Sequence, residues 1–241
     1  MPSWPAAGGA SDGVSPPSRP CTARAPRSKS RAPTCSTRRT CVSAREALGA
    51  ASEAPGVELA ACAVEIVELA AFRARASELS GIARGLGLDL AAPGWVAAGS
   101  GQLALCVRPG RWLLLLPPDS AGAQAALWQR ACAGVAAALD HSSGLVALHL
   151  AGAELREVLS RGCRLDLDPE VFPPGRAAAT LMAQVGVILA RLPAGLVLLT
   201  PASTARHVRE WLTATGRPFG LTAGPDVTVA ELSVAAPAVG G

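Results

Sequence analysis

The side chains best suited to chemistry gather in three short runs. Asp140-His141-Ser142-Ser143 brings together the acid, base and hydroxyl types of nucleophilic catalysis. Members of a triad converge in space from separate elements, so adjacency in sequence argues against one. The run is also not a Gly-x-Ser-x-Gly elbow. It reads more simply as a turn entering a strand at Gly144, with Asp140 or Ser142 bonding nearby backbone amides. Asp166, Asp168 and Glu170 crowd the second run, where paired carboxylates could hold a hard cation or move protons. The oxygen ligands and the turn glycine of a calcium loop are missing, and an exposed loop with Asx turns accounts for the pattern. Gly99-Ser100-Gly101 begins like a dinucleotide fingerprint, but the third glycine is absent and a strand pattern follows where the phosphate cradle needs a helix.

The remaining candidates are single residues. His149 sits in an apolar strand pattern on the side of Leu145 and Ala147, as a hydrogen-bonded core or interface histidine would. His207 neighbours Arg206 and Arg209 and reads as solvated. The seven cysteines are odd in number and never spaced Cys-x-x-Cys, so they make neither a disulfide framework nor a zinc ribbon. Reduced, mostly buried thiols of a cytoplasmic protein fit best. No catalytic, cofactor-binding or metal-ligating residue emerges. Trp112, Trp128 and Trp211 are core candidates that also suit an interface, because one edge of an indole can stay polar.

The elements that would position these groups begin near Val57. Residues 1–45 hold eight basic residues and one acid, Asp12, whereas residues 46–241 hold 14 basic and 17 acidic residues. The basicity thus belongs to a tail, and the body has no stripe suited to nucleic acid. Residues 1–55, rich in Ser, Pro, Arg, Gly and Ala without hydrophobic period, are expected to be disordered. Residues 56–232 form the folded domain, in halves of about 56–139 and 140–232, and 233–241 fray. In the first half, strands are expected at Ala61–Leu69, Trp95–Ala98, Gln102–Val107 and Trp112–Leu116, with helices capped by Ser77 and by Ser120, the latter running to about Leu139. In the second, strands are expected at Gly144–Leu150, Leu181–Ala190, Leu196–Thr200 and Val227–Leu232, with helices at Ala153–Ser160 and after Ser203. Leu181–Ala202 is apolar enough to raise a membrane span, but Arg191 and Pro193-Ala194-Gly195 make it two strands and a turn. Sliding the chain by 83 residues lays Leu113, Leu115, Leu116, Pro118, Ser120 and Trp128 on Leu196, Leu198, Leu199, Pro201, Ser203 and Trp211. The expected class is α+β, two ferredoxin-like β-α-β-β-α halves.

Residues 140–180 carry a further pattern: Asp140 and Ser142, Gly152, Val158-Leu159, Cys163, Leu165-Asp166-Leu167, Phe172-Pro173-Pro174-Gly175 and Thr180. In these residues the stretch resembles the gamma subunit of heterotetrameric sarcosine oxidase. Pro109-Gly110-Arg111-Trp112-Leu113-Leu114 upstream and Leu198–Ser203 with Glu210-Trp211-Leu212 downstream extend it to about residues 57–215. Asp168 and Ala179 depart from it, standing where the pattern has His and Gln.

The resemblance implies a fold similar to the folate-binding domain of the glycine cleavage T-protein. It also implies a non-catalytic, structural subunit of a cytoplasmic oxidoreductase with alpha, beta and delta partners. That complex would demethylate sarcosine to glycine, yielding hydrogen peroxide and formaldehyde or methylenetetrahydrofolate. FAD, FMN, NAD and zinc would sit in the other subunits and none in this chain. Neither nucleic acid nor membrane is an expected partner. Phe172, Pro173 and Pro174 form an apolar, stiff loop suited to contact, alongside Trp128 and Trp211. A stand-alone folate-binding, one-carbon-transfer module is the alternative.

Overall fold

The computed structural model describes residues 56–119 and 122–234. Among the described residues twelve strands fall into two sheets that face each other, and helices back both. The first sheet runs β3 (Trp95–Gly99), β4 (Gln102–Arg108), β5 (Arg111–Leu116), β2 (Glu65–Ala71), β6 (Ala136–Asp140). The second runs β11 (Leu221–Ala223), β1 (Val57–Ala63), β7 (Leu145–Ala151), β10 (Gly195–Pro201), β9 (Val185–Leu192), β8 (Ala177–Met182), with β12 (Val227–Thr228) also on β1. Helices α1 (Ala76–Gly85) and α2 (Ala123–Ala131) back the first sheet; α3 (Leu155–Ser160) and α4 (Ala205–Gly216) back the second; α5 (Val229–Val234) follows β12.

Three apolar layers hold these elements together. Leu79 and Ala83 of α1, with Ala125 and Trp128 of α2, pack on Val67, Leu69, Trp112, Leu114 and Leu116 of the first sheet. Val158 and Leu159 of α3, with Val208 and Leu212 of α4, pack on Leu148, Leu150, Leu196 and Leu198 of the second. Between the sheets lie Ile66, Leu113 and Leu115 from one side and Ala147, Val197 and Leu199 from the other. The central strands β5 and β10 are therefore buried on both faces and read as unbroken apolar runs, Trp-Leu-Leu-Leu-Leu and Leu-Val-Leu-Leu.

Each sheet carries a β-α-β-β-α unit with one further strand before its last helix, which bears out the α+β reading. Four expected elements change. The strand foreseen at Ala61–Leu69 is two: the chain leaves the second sheet after Ala63 and enters the first at Glu65, so β1 lies beside β7. The helix foreseen to run to Leu139 stops at Ala131. Gly134, at φ +79°, turns the chain, and the alanines after it pair with β2 as an edge strand. Ser120 lies outside the described residues; among the described ones, Asp119 accepts from the Ala123 amide at 2.9 Å and the buried Glu65 from the Ala125 amide at 2.8 Å, holding the first turn of α2. The strand foreseen at Leu181–Ala190 is a hairpin, since Ala183 and Gln184, both at positive φ, make a two-residue turn. At the C-terminal end, Val229 begins a helix: Thr228 and Glu231 bond each other's amides as a capping box.

The internal repeat also has a corrected register. Shifting by 83 puts Leu113, which faces the inter-sheet layer, on Leu196, which faces the helices. A shift of one more residue matches inner face to inner face: Leu113 to Val197, Leu114 to Leu198, and Trp128 to Leu212.

Candidate partner interface

The reactive runs are engaged in structural bonds. Asp140 Oδ1 accepts the Ser142 amide at 2.8 Å, and those bonds hold its carboxyl below the ordinary value of 3.8. Ser142 Oγ accepts the Ile66 amide at 2.9 Å, closing the end of β2. His141 turns away from both and places Nε2 at 2.9 Å from Glu68 Oε2, while Arg111 Nη1 holds the other oxygen at 2.7 Å. In the second run, Asp166 accepts the Asp168 amide at 2.9 Å and Asp168 the Glu170 amide at 3.0 Å, two Asx turns in succession. Among the described residues no group of three His, Cys, Asp or Glu could hold a metal. Ser100 and Gly101, at φ +46° and +73°, form the two-residue turn between β3 and β4, with a strand where a phosphate-binding helix would start.

His149 is buried, and desolvation pushes its pKa below 6.5 against the opposing effects of a bond to the Ala194 backbone and the Glu58 carboxylate. His207 is exposed and lies 3.2 Å from the Ala183 carbonyl. Burial pushes the Cys62 thiol up to about 12 and raises Cys106 and Cys132 as well, as inert structural thiols require. Among the described residues no helix is long and apolar enough to cross a membrane.

The proline loop is a clasp between the sheets. Phe172, 2% exposed, anchors it in the helix-side core of the second sheet. The Arg176 amide donates to the Pro173 carbonyl at 3.1 Å, closing a turn that needs positive φ at Gly175, which sits at +91°. Gly175 then joins both sheets: its amide donates to Arg191 of β9, and its carbonyl accepts from Val96 of β3, each at 2.7 Å. Trp95 lies against the Arg176 guanidinium at 4.8 Å. Beside the turn opens a cavity of about 280 Å³ lined by Pro174, Arg156 and Arg191. Arg156 is bonded to Asp168 at 2.9 Å and Arg191 to the Leu167 carbonyl at 3.0 Å.

Of the contact residues expected from sequence, Phe172 and Trp128 are core in this chain, Trp128 at 1% exposure, and offer no surface to another molecule. Trp112 is core too, its indole N–H donating to the Ala91 carbonyl at 2.8 Å. Pro173 and Trp211 are half-buried and Pro174 is exposed, with Val171 beside them at 57% exposure. Trp211 lies over Gly162, which has no room for a Cβ beneath the ring. Sequence reasoning missed the Glu68–Arg111–His141 network, which only antiparallel pairing assembles.

Two facing sheets, each backed by helices and each built on the same repeated unit, define a doubled α+β domain. The comparisons make the class specific. A family described as sarcosine oxidase, gamma subunit family matches residues 70–214, more than half of the chain, and the chain belongs to it. Among solved structures it is similar to the heterotetrameric sarcosine oxidase from Corynebacterium sp. U-96 in complex with pyrrole 2-carboxylate, at 27% identity and a TM-score of 0.61, over 69% of this chain and 86% of that one. It is also similar to the glycine cleavage system aminomethyltransferase T from Bartonella henselae, at 16% identity and a TM-score of 0.54, over 73% of this chain and 49% of that one, a likeness of fold alone. No curated protein sequence matches.

Proposed function

We propose that this chain is a structural and interface subunit of a heterotetrameric sarcosine oxidase, with alpha, beta and delta chains as partners in the cytoplasm. The observation that carries the reading is the family match over residues 70–214 together with the fold shared over 86% of a chain of such an enzyme. The geometry supports it, because the triad-type and carboxylate runs are occupied in turns and strand ends. The assembly would oxidise sarcosine to glycine with flavins, NAD and zinc held by the other chains. Val171, Pro173 and Pro174 supply one contact, an apolar rim on a loop already fixed by backbone bonds, so little entropy is lost on docking.

The expected tail at residues 1–55 lies outside the described residues. In this reading the body comprises two halves, about 56–139 and 140–232; of the end expected to fray, Ser233 and Val234 belong to α5 and residues 235–241 lie outside the described residues.

Co-expression with the three presumed partners, capture through a tag on this chain and assay of flavin absorbance and sarcosine-dependent peroxide test the reading. A yellow, active, four-chain eluate is expected. A colourless single chain that saturably binds tetrahydrofolate would replace it with a folate-binding module.

A further inference from the structure

The inner face of the first sheet extends past the second sheet. Val107, Leu113, Leu145 and Ile188 still meet between the sheets and floor a cavity of about 190 Å³, whose rim carries Arg108, Arg111, Glu68 and His141. Beyond it lies β6 with Leu139 at 52% exposure, and next to β2 stands Phe72 at 47%. Arg73 and Arg75 follow Phe72 in the chain, and the turn carrying Arg108 and Arg111 is tied to that point by the Ala71 amide, which donates to the Gly110 carbonyl at 2.9 Å.

Charge at this corner is not balanced internally. Glu68 serves Arg111 and His141 and Glu78 serves Arg75, while Asp140, bonded only to Ser142, keeps its charge at the end of β6, so four arginines (Arg73, Arg75, Arg108 and Arg111) stand against three carboxylates. Among the described residues neither Arg73 nor Arg108, both exposed, has an ion pair. An aromatic side chain set among arginines is the composition of interface hot spots. The strand edge is open as well. The Phe72 amide bonds the Val135 carbonyl and the His141 amide the Ile66 carbonyl. Antiparallel alternation then points the backbone groups of Ala137 and Leu139 at β2 and those of Ala138 and Asp140 outward.

We propose that this corner docks an extended, acidic segment of a partner subunit, which adds to the β6 edge and places carboxylates on Arg73 and Arg108 over Phe72 and Leu139. The inference rests on the subunit reading above and assigns a second contact, separate from the proline loop. Backbone pairing supplies affinity, and the arginines select an acidic strand over others.

The test uses the full chain in the co-expressed complex, comparing wild type with Arg73→Glu/Arg108→Glu, with the conservative Arg73→Lys/Arg108→Lys, and with Arg209→Glu/Arg217→Glu, exposed on the helix layer of the second sheet, as a reversal elsewhere on the surface. Ala138→Pro removes an outward N–H without breaking the β2 ladder. Thermal melts of each isolated chain check that it remains folded. The corner reversal and Ala138→Pro are expected to cut recovered partner by roughly tenfold or more, with the lysine pair and the distant reversal close to wild type. Assembly of the corner reversal at wild-type level, with wild type assembling normally, overturns this inference and leaves the subunit reading standing. Equal loss in the distant reversal overturns it too. Failure of wild type itself to assemble removes both.

Discussion

Glu68 and His149 occupy corresponding places in the two sheets. Each faces the inner layer and pairs with the third residue of the hairpin's second strand, Glu68 with Leu113 of β5 and His149 with Val197 of β10. Their surroundings differ because the strand beyond differs. Beyond β7 lies β1, flanked in turn by β11 and β12, so His149 is closed in beside Ala60. Beyond β2 lies only β6, so Glu68 stays within reach of water and gathers Arg111 and His141. One unit thus yields a sealed inner face in one copy and a charged, open one in the other. Coverage by a neighbouring strand decides whether that position holds a buried imidazole or a carboxylate that gathers cationic partners.

The comparison breaks most sharply at the two tryptophans. In the corrected register Trp128 corresponds to Leu212, a fully buried residue of α4, while Trp211 sits one position round the helix at the core's margin. Trp128→Ala is expected to lose about 3–5 kcal/mol, as removal of a buried indole does. Trp211→Ala is expected to lose roughly half of that or less. Chemical denaturation of both variants measures the difference. Equal losses would restore the register that aligns the two indoles.

The next effect is smaller and lies at the hairpin starts. Arg111 and Gly195 correspond, and Gly195 has no side chain because His149 and the Leu150 carbonyl occupy its place, with φ at +142°. Gly195→Ala should lose about 1–3 kcal/mol through backbone strain. Arg111→Ala removes a half-exposed ion pair and should lose about 1 kcal/mol or less. Denaturation of the two variants in parallel would sharpen the contrast, and a harmless Gly195→Ala would remove the steric account of the sealed copy.

What could be read beforehand follows from how locally each feature is encoded. The doubled rhythm was legible because β5 and β10 are apolar runs bounded by Pro-Gly or Pro-Ala-Gly turns. The Asx turns at Asp166 and Asp168 follow from adjacent residues. Ala183-Gln184 carries no turn chemistry, and Ala136–Ala138 has no strand propensity, so both needed their pairing partners to define them. The helix at Val229 was missed although Thr228-Val229-Ala230-Glu231 spells a capping box. The Glu68 network joins residues 43 and 73 positions away, Arg111 and His141, and only sheet register brings them together. Its sole local trace is a carboxylate inside the apolar alternation of β2.

The smallest effect tests the sealed side directly, through protons. Burial lowers the folded-state pKa of His149 below its ordinary value of 6.5, with the Ala194 bond and the Glu58 charge only partly offsetting it. Above that value the imidazole is neutral in folded and unfolded chains alike, and the stability it contributes is complete. As pH falls through 6.5 the unfolded chain takes up a proton that the folded chain refuses, so stability declines until the folded-state pKa is reached. Melting temperature should therefore drop between about pH 7.5 and about pH 5.5 by more in wild type than in His149→Gln, which keeps a polar, uncharged side chain there. The other histidines are common to both proteins and cancel in the difference. Parallel pH curves for the two would mean that the β1 side admits the charged ring, and that the two copies differ less in coverage than their strand order implies.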